Sequence, residues 1–364
     1  MNKKALELID KINSFGFVAY LVGGYPRDMY LNRTTYDIDV CTNATPKDLK
    51  NIFGNSMLSK INYGSVVVVY KNVRFEITTF RKDLKYINNR LPVKFEYVDN
   101  LLDDLKRRDF TINTLCIDAN GVLIDLLDGR KDIDNKIIKM VGDPSIRLKE
   151  DCLRILRAIR FATILNFKLD DELKKYISKY GYLLKKLSYD RKKSELDKIF
   201  SSNNVAYGIE LIKELGLDKP LELNFDNLVI TNYPIGIWAQ INPSNYKFSK
   251  NEKDMIKKIK ELKDKDIFDS RIMYEYDLFL LSAVADIRGI SKRTITYYYN
   301  KLPIKSRKDI AISPGQICEL LNKKSGPFLK KILDNLENEI LSNNLNNEYN
   351  DIKNYIFDKN KNIW

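Results

Sequence analysis

A mixed α/β domain ending near residue 140, followed by a long all-α body, is the fold class this sequence predicts. Two patterns predict it. Up to about residue 126, short apolar runs rich in β-branched residues alternate with helical stretches, and beyond Gly142 the apolar residues recur at helical spacing. A length of 364 residues fits roughly two to three domains. A hydrophobic share of 44% against 30% charged residues reads as globular rather than disordered.

The elements follow in order. Residues 3–13 read as a helix. Residues 17–22 form an apolar strand that stops at Gly23-Gly24, and residues 37–41 a short alternating strand. A helix is expected over 46–53, and strands over 65–70 and 73–79 make a hairpin across Lys71-Asn72. Residues 81–104 are polar and contain Asn88-Asn89-Arg90-Leu91-Pro92; so long a segment inside a compact domain is usually functional or mobile. A helix over 101–107 and strands over 112–117 and 122–126 complete the domain. The expected helices beyond it are 145–165, 170–180, 191–201, 206–215, 250–263, 274–287 and 326–341, with breaks at Gly142-Asp143-Pro144, Lys219-Pro220, Asn242-Pro243-Ser244 and Ser313-Pro314-Gly315.

Composition excludes whole classes of chemistry. Without histidine there is no Ser-His-Asp triad, no Cys-His dyad and no His-ligated zinc or haem. Cys41, Cys116, Cys152 and Cys318 are scattered among apolar neighbours, which argues for small core residues rather than zinc ligands or disulfides. The first residues lack the apolar core of a signal peptide, and no run approaches the roughly 20 apolar residues that span a bilayer. A cytoplasmic protein with no membrane partner is the expectation. The net charge of +13 suits a polyanionic partner or simply a solvated surface. Pairs such as Lys174-Lys175, Lys185-Lys186, Lys192-Lys193 and Lys257-Lys258 spread that charge over the helical part.

Three constellations carry chemistry. In the first, Gly23-Gly24 and Arg27 join a strand to a helix, as a phosphate cradle or only as a turn. Asp37-Ile38-Asp39 follows; on a strand its two carboxylates share a face and could converge on one or two Mg²⁺ ions, although Asp-x-Asp is also common in loops. Glu76 faces away from Phe75 and Ile77, as a third carboxylate or as a partner of Arg74. In the second, Arg108, Asp109 and Asn113 crowd donors and acceptors beside Phe110 and Ile112, as a ribose and triphosphate site or as a cap and ion pair. In the third, Arg147, Glu150, Asp151, Arg154 and Arg157 form a stripe on the helix expected over 145–165. That stripe is a solvated face, or it places Asp151 and Arg154 as an acceptor and a donor that match the pairing edges of cytosine and adenine and mismatch those of uracil and guanine. A bidentate pair of this kind is worth roughly 1–3 kcal/mol of discrimination.

Taken in order, these motifs resemble the class II tRNA nucleotidyltransferases, the CCA-adding enzymes, which share a core with bacterial poly(A) polymerases. LVGGYPRD with YDIDVCTNATP is similar to the metal and triphosphate motif, RRDFTIN to the sugar motif, LIDLLDG to the next, RLKEDCLRILRAIRF to the base-selecting motif, LSYDRKKSELDKIF to the motif after it, and SGPFLKKILDNL to the tail. Pro26 stands where the family commonly has a small aliphatic residue, and Tyr189-Asp190-Arg191 replaces its usual Glu-Arg spacing.

The resemblance implies a polymerase-beta-like nucleotidyltransferase head over residues 1–140, then an elongated all-α neck (141–201), body (202–270) and tRNA-binding tail (271–364). It implies Mg²⁺ on Asp37 and Asp39 with Glu76 beside them, and a nucleotide held by Gly23, Gly24, Arg27, Arg108, Asp109, Asn113, Glu150, Asp151, Arg154 and Arg157. It also implies a flexible loop carrying Arg81, Tyr86 and Arg90. The substrates would be CTP, ATP and the 3′ end and acceptor stem of tRNA, with no obligatory protein partner. Poly(A) polymerases carry a Gly-Arg-Arg-Phe-like stretch where this chain has YGSVVVV, and CC-adding enzymes lack the loop that Arg81, Tyr86, Arg90 and Pro92 match here. Full CCA addition is therefore preferred over CC-only or A-only addition and polyadenylation, and the acidic set argues against an inactive RNA-binding protein.

Overall fold

Ala5, Leu8, Ile9 and Ile12 recur at helical spacing, and all four are buried on one side of helix α1 (Lys3–Asn13), whose start is capped by the Asn2 side chain. The computed structural model describes residues 2–35, 37–62, 64–87 and 91–360. It divides into two compact units, residues 1–225 and 226–364.

In the first unit, α1 is followed by β1 (Ala19–Val22), α2 (Gly24–Tyr30), β2 (Asp39–Thr42), α3 (Pro46–Phe53), β3 (Met57–Asn62), β4 (Ser65–Tyr70) and β5 (Val73–Thr79). Next come β6 (Arg81–Ile87), β7 (Leu91–Tyr97), α4 (Leu101–Lys106), β8 (Cys116–Ile117), β9 (Leu123–Ile124), α5 (Gly129–Asp134) and β10 (Ile137–Ile138). Helices α6 (Pro144–Glu150) and α7 (Leu153–Leu165) lead through β11 (Lys168–Leu169) to α8 (Asp171–Tyr180), α9 (Tyr189–Phe200), α10 (Val205–Glu214) and α11 (Asp218–Leu221). Seven strands form one mixed sheet in the order β3-β4-β5-β2-β1-β8-β9; β2 and β5 run parallel, with Asp39 opposite Glu76, and the other neighbours run antiparallel.

The two faces of this sheet set up everything that follows. Leu21, Val40, Val66, Phe75 and Ile77 point to one face and pack with α1 and α3 in the main core. Val22, Cys41 and Cys116 point to the other, with Phe80 and Leu105. Strand alternation puts Asp39 and Glu76 on this second face, away from the helices.

The second unit contains α12 (Pro234–Ile241), α13 (Lys250–Leu262), α14 (Ser270–Glu275), α15 (Leu278–Ile287), α16 (Lys292–Asn300), α17 (Pro314–Leu321), α18 (Phe328–Leu341) and α19 (Tyr349–Asn360). Its described part is helical. Leu329, Ile332, Leu333, Leu336 and Ile340 of α18 pack with Ile304, Ile317, Ile352 and Ile356. Among the described residues no helix is long and apolar enough to cross a membrane.

Several expectations need correction. The β2 strand begins at Asp39, so Asp37 lies just before it, although exposure still alternates from Asp37 to Val40. Residues 112–117 are not a strand: Thr111–Asn113 is a 3₁₀ turn, because the side chains and backbone there are committed to local hydrogen bonds, and only Cys116 and Ile117 pair. The described part of the polar segment 81–104 is an antiparallel hairpin, β6–β7, whose register shifts between Asp83 and Tyr86, followed by α4. The helix expected over 145–165 breaks at Asp151, which adopts an extended φ of −141° while its Oδ1 accepts from the Leu153 N–H at 3.0 Å. A short acidic side chain that bonds nearby backbone competes with helix continuation in this way. Tyr276 interrupts 274–287 similarly, with Asp277 capping α15. Cys41, Cys116 and Cys152 are buried and free.

Ile77 is fully buried at the centre of the sheet, between Val40 and Val66. Ile77→Ala is expected to cost the first unit about 2–5 kcal/mol, read as a lower midpoint in urea denaturation.

Candidate active site

The site starts where β1 ends. Gly23 turns the chain at φ +81°, a left-handed conformation that favours glycine, and a Cβ there would lie 3.5 Å from Asp39 Oδ2 and 3.8 Å from Arg108 Nη1. Arg27, in the α2 helix that follows the turn, lines the cavity. Its Nη1 donates to Asn113 Oδ1 at 2.6 Å and its Nε to Asp28 at 2.9 Å.

Asp37 and Asp39 line the same cavity. Burial raises the pKa of Asp39, the nearby carboxylates of Glu76 and Asp37 add to the rise, and Arg108 opposes it. Like charges gathered around a buried carboxylate make a site that a cation would stabilise. Among the described residues no cluster of three or more acidic, cysteine or histidine side chains is arranged as a complete metal cage. Glu76 is exposed, forms no ion pair with Arg74 and does not line the cavity.

The segment after α4 supplies the cations. Asp104, fully buried, accepts from Arg107 Nε at 2.8 Å, from Arg108 Nη2 at 3.0 Å and from the Arg81 N–H at 3.3 Å. Burial works against the Arg108 charge, but Asp104 outweighs it and raises the guanidinium pKa. Asp109, its side chain 11% exposed, has four donors: the Phe110 N–H at 2.8 Å, Asn113 Nδ2 at 3.0 Å, and Arg157 Nε and Nη2 at 2.7 and 2.5 Å. Burial alone would raise its pKa; Arg157, Asn113 and the Phe110 amide win and hold it well below the usual carboxylate range.

The break at Asp151 changes the expected geometry without scattering the groups. Asp151 and Arg154 are not neighbours on one continuous helix, yet both line the cavity with Arg157. Buried Arg154 donates to the Arg147 carbonyl at 2.7 Å and to Glu150 Oε2 at 3.3 Å. Arg147 in turn donates to Glu150 and to the carbonyls of Arg107 and Arg108, at 2.5 Å and 3.0 Å for the two carbonyls. Glu150 thus stands behind the cavity and orients two arginines.

The cavity holds about 490 Å³. It gathers Gly23, Gly24, Arg27, Asp37, Asp39, Arg81, Arg108, Asp109, Asn113, Asp151, Arg154 and Arg157. Of the remaining sequence candidates, Arg90 lies outside the described residues, as does the Tyr86 side chain. Sequence reasoning missed Asp104, whose signal was its i,i+3 and i,i+4 spacing to Arg107 and Arg108. It also missed Phe161, whose ring lies within 5.4 Å of the guanidinium carbons of Arg27, Arg157 and Arg160. A larger cavity of about 1010 Å³ beside α9 has its Lys193 paired with Asp197 at 2.8 Å and gathers none of these groups.

Comparison with known proteins agrees with this geometry. Residues 19–139 match the "Poly A polymerase head domain", residues 166–225 the "Probable RNA and SrmB- binding site of polymerase A", and residues 244–356 tRNA nucleotidyltransferase domain 2. A CCA-adding enzyme of Ligilactobacillus salivarius is 32% identical over 95% of this chain and 94% of its own length. One from Bacillus licheniformis is 33% identical over 95% of each. The chain belongs to the CCA-adding family of tRNA nucleotidyltransferases. Within the family, the crystal structure of the Bacillus stearothermophilus CCA-adding enzyme in complex with CTP shares the fold with a TM-score of 0.77 at 27% identity, covering 99% of this chain and 97% of that one. The family suggests dependence on a divalent metal.

Because the folded state depresses the Asp109 pKa, its ion pair stabilises the protein fully above about pH 4, the unfolded value, and the contribution fades as the pH falls below it. Asp109→Asn is expected to lower stability at pH 7 by about 2 kcal/mol, discounted for the partial exposure of Arg157. The gap to the parent should narrow between about pH 4 and pH 3, as followed by urea denaturation across that range.

Proposed function

We propose that this cavity is where the chain extends tRNA. The chain is a tRNA nucleotidyltransferase; it adds or repairs the 3′-terminal CCA without a nucleic-acid template, using CTP and ATP and releasing pyrophosphate. The single observation that carries the assignment of the site is the convergence of two carboxylates, an arginine cluster and the Asp151/Arg154 pair on one cavity.

Asp37 and Asp39 are the residues that would hold Mg²⁺, since hard oxygen ligands and mutual repulsion suit such an ion, with substrate phosphates completing its shell. When bound, the metal supplies activation of the 3′-hydroxyl and neutralisation of charge on the leaving pyrophosphate. Glu76 adds negative charge beside them. Gly23 and Gly24 let the triphosphate approach the backbone, and Arg27 and Arg108 neutralise it. The four acceptor positions of Asp109 are filled, and the Asn113 amide is committed to Asp109 and Arg27. These two therefore work by holding Arg157 and Arg27 in place around the sugar and triphosphate. Asp151 and Arg154 read the base edge, with Glu150 fixing Arg154. Arg81, Tyr86 and Arg90 serve the nucleotide site as members of the family's flexible loop.

The same proposal divides the chain into a catalytic head (1–140), neck (141–201), body (202–270) and tRNA-binding tail (271–364), acting in the cytoplasm. Full CCA addition is favoured over CC-only, A-only or poly(A) synthesis because relatives named as CCA-adding enzymes match along nearly the whole chain.

Incubation with Mg²⁺, CTP, ATP and labelled tRNA lacking its 3′ CCA should extend the RNA by C, C and A and then stop; a long A tail, or addition of one base type only, contradicts the assignment. Asp39→Ala should slow extension by on the order of 10²-fold or more while tRNA affinity is retained. Asp151→Ala should let UTP and GTP enter, eroding discrimination by about 10- to 100-fold. Continued exclusion of both in that variant overturns the template role of Asp151.

A further inference from the structure

Asp104 lies outside the cavity, yet three cavity-lining residues end on its carboxylate. Oδ1 accepts from Arg107 Nε at 2.8 Å and from the Arg81 backbone N–H at 3.3 Å, and Oδ2 accepts from Arg108 Nη2 at 3.0 Å. Its exposure is zero. An isolated carboxylate would not be buried there without strong compensation, and the guanidiniums it holds would repel one another without it. The main chain at the same point is pinned separately, by Arg147 donating to the carbonyls of residues 107 and 108. Backbone and side-chain tips of the arginine pair are thus fixed from two directions. The Arg81 amide is the first of strand β6, so the carboxylate also ties the root of the β6–β7 hairpin to that pair.

We propose that Asp104 is a positioning residue for triphosphate binding: it sets the fork of Arg107 and Arg108 at the cavity wall and couples the hairpin to it. It touches no substrate and acts through the arginines. The inference rests on the proposed nucleotide site, and the arms of the test keep the two apart.

A triphosphate is common to both substrates, so the effect must be blind to the base. By isothermal titration of the full chain, Asp104→Asn should raise the Kd for CTP, ATP and inorganic pyrophosphate by the same factor, about tenfold or more, a loss of about 1.4 kcal/mol. The Kd for tRNA lacking its CCA end should stay unchanged. Asp104→Glu, which keeps the charge but moves it, should give a smaller rise shared equally by the three ligands. If Asp104→Asn fails to fold, Asp104→Glu carries the test alone. Unchanged nucleotide and pyrophosphate affinities in a folded variant overturn the proposal, as does a loss that falls on tRNA equally or on one nucleotide only. Failure of the parent chain to bind CTP and ATP would instead overturn the nucleotide site itself.

Discussion

The Asp109 carboxylate accepts from two sides at once: from the Phe110 amide and Asn113 on its own segment, and from both Nε and Nη2 of Arg157 on α7. Sheet-side and helix-side groups meet at this atom pair. Asn113 passes the constraint on to Arg27 at the start of α2, beside the glycine turn. Phe161 adds a ring that the guanidiniums of Arg27 and Arg157 share. Remove the carboxylate and a partly buried arginine loses its partner, while the turn that follows Asp109 loses two of its hydrogen bonds. These bonds tie together a site assembled from segments more than a hundred residues apart in sequence.

Charge is sorted within this frame. Asp39 and Glu76 lie on one sheet face with Asp37 just before the strand, and burial together with the Glu76 and Asp37 charges raises the pKa of Asp39, so this corner calls for a cation. The arginines line the same cavity, each braced by an acid or a carbonyl: Arg108 by Asp104, Arg154 by Glu150 and the Arg147 carbonyl, Arg157 by Asp109. A nucleoside triphosphate fits this layout: the arginines would neutralise its phosphates, and Asp37 and Asp39 would hold a metal ion. The absence of histidine fits such chemistry, because a divalent metal and fixed charges would take the place of a titrating base near neutral pH.

Much of this was legible in the sequence because it rests on local periodicity. The α1, α3, β4 and β5 boundaries follow from apolar spacing and turn residues, and alternation alone put Asp39 and Glu76 opposite the core. The failures have specific causes. Asp151 reads as helical because its neighbours are good helix formers; its extended backbone and its bond to the Leu153 amide reveal the break. Residues 112–117 look β-prone, but Thr111, Asn113 and Thr114 spend their polar groups on local bonds and turn the chain. Asp104 and Phe161 resemble ordinary helix-face residues in sequence; their roles come from partners brought in by tertiary packing. The commitment of Asn113 to its neighbours, rather than to a ligand, also needs distances to be seen.

The most direct test of this account is a double-mutant cycle on Asp109→Asn and Arg157→Gln, with both stability and CTP affinity measured in each variant. A shared web predicts strong non-additivity: either single change does most of the damage, leaving a coupling of about 1–3 kcal/mol in stability and a matching coupling in the CTP Kd. Losses that add to within about 0.5 kcal/mol would show the two residues acting independently, and would contradict the claim that one carboxylate organises the site.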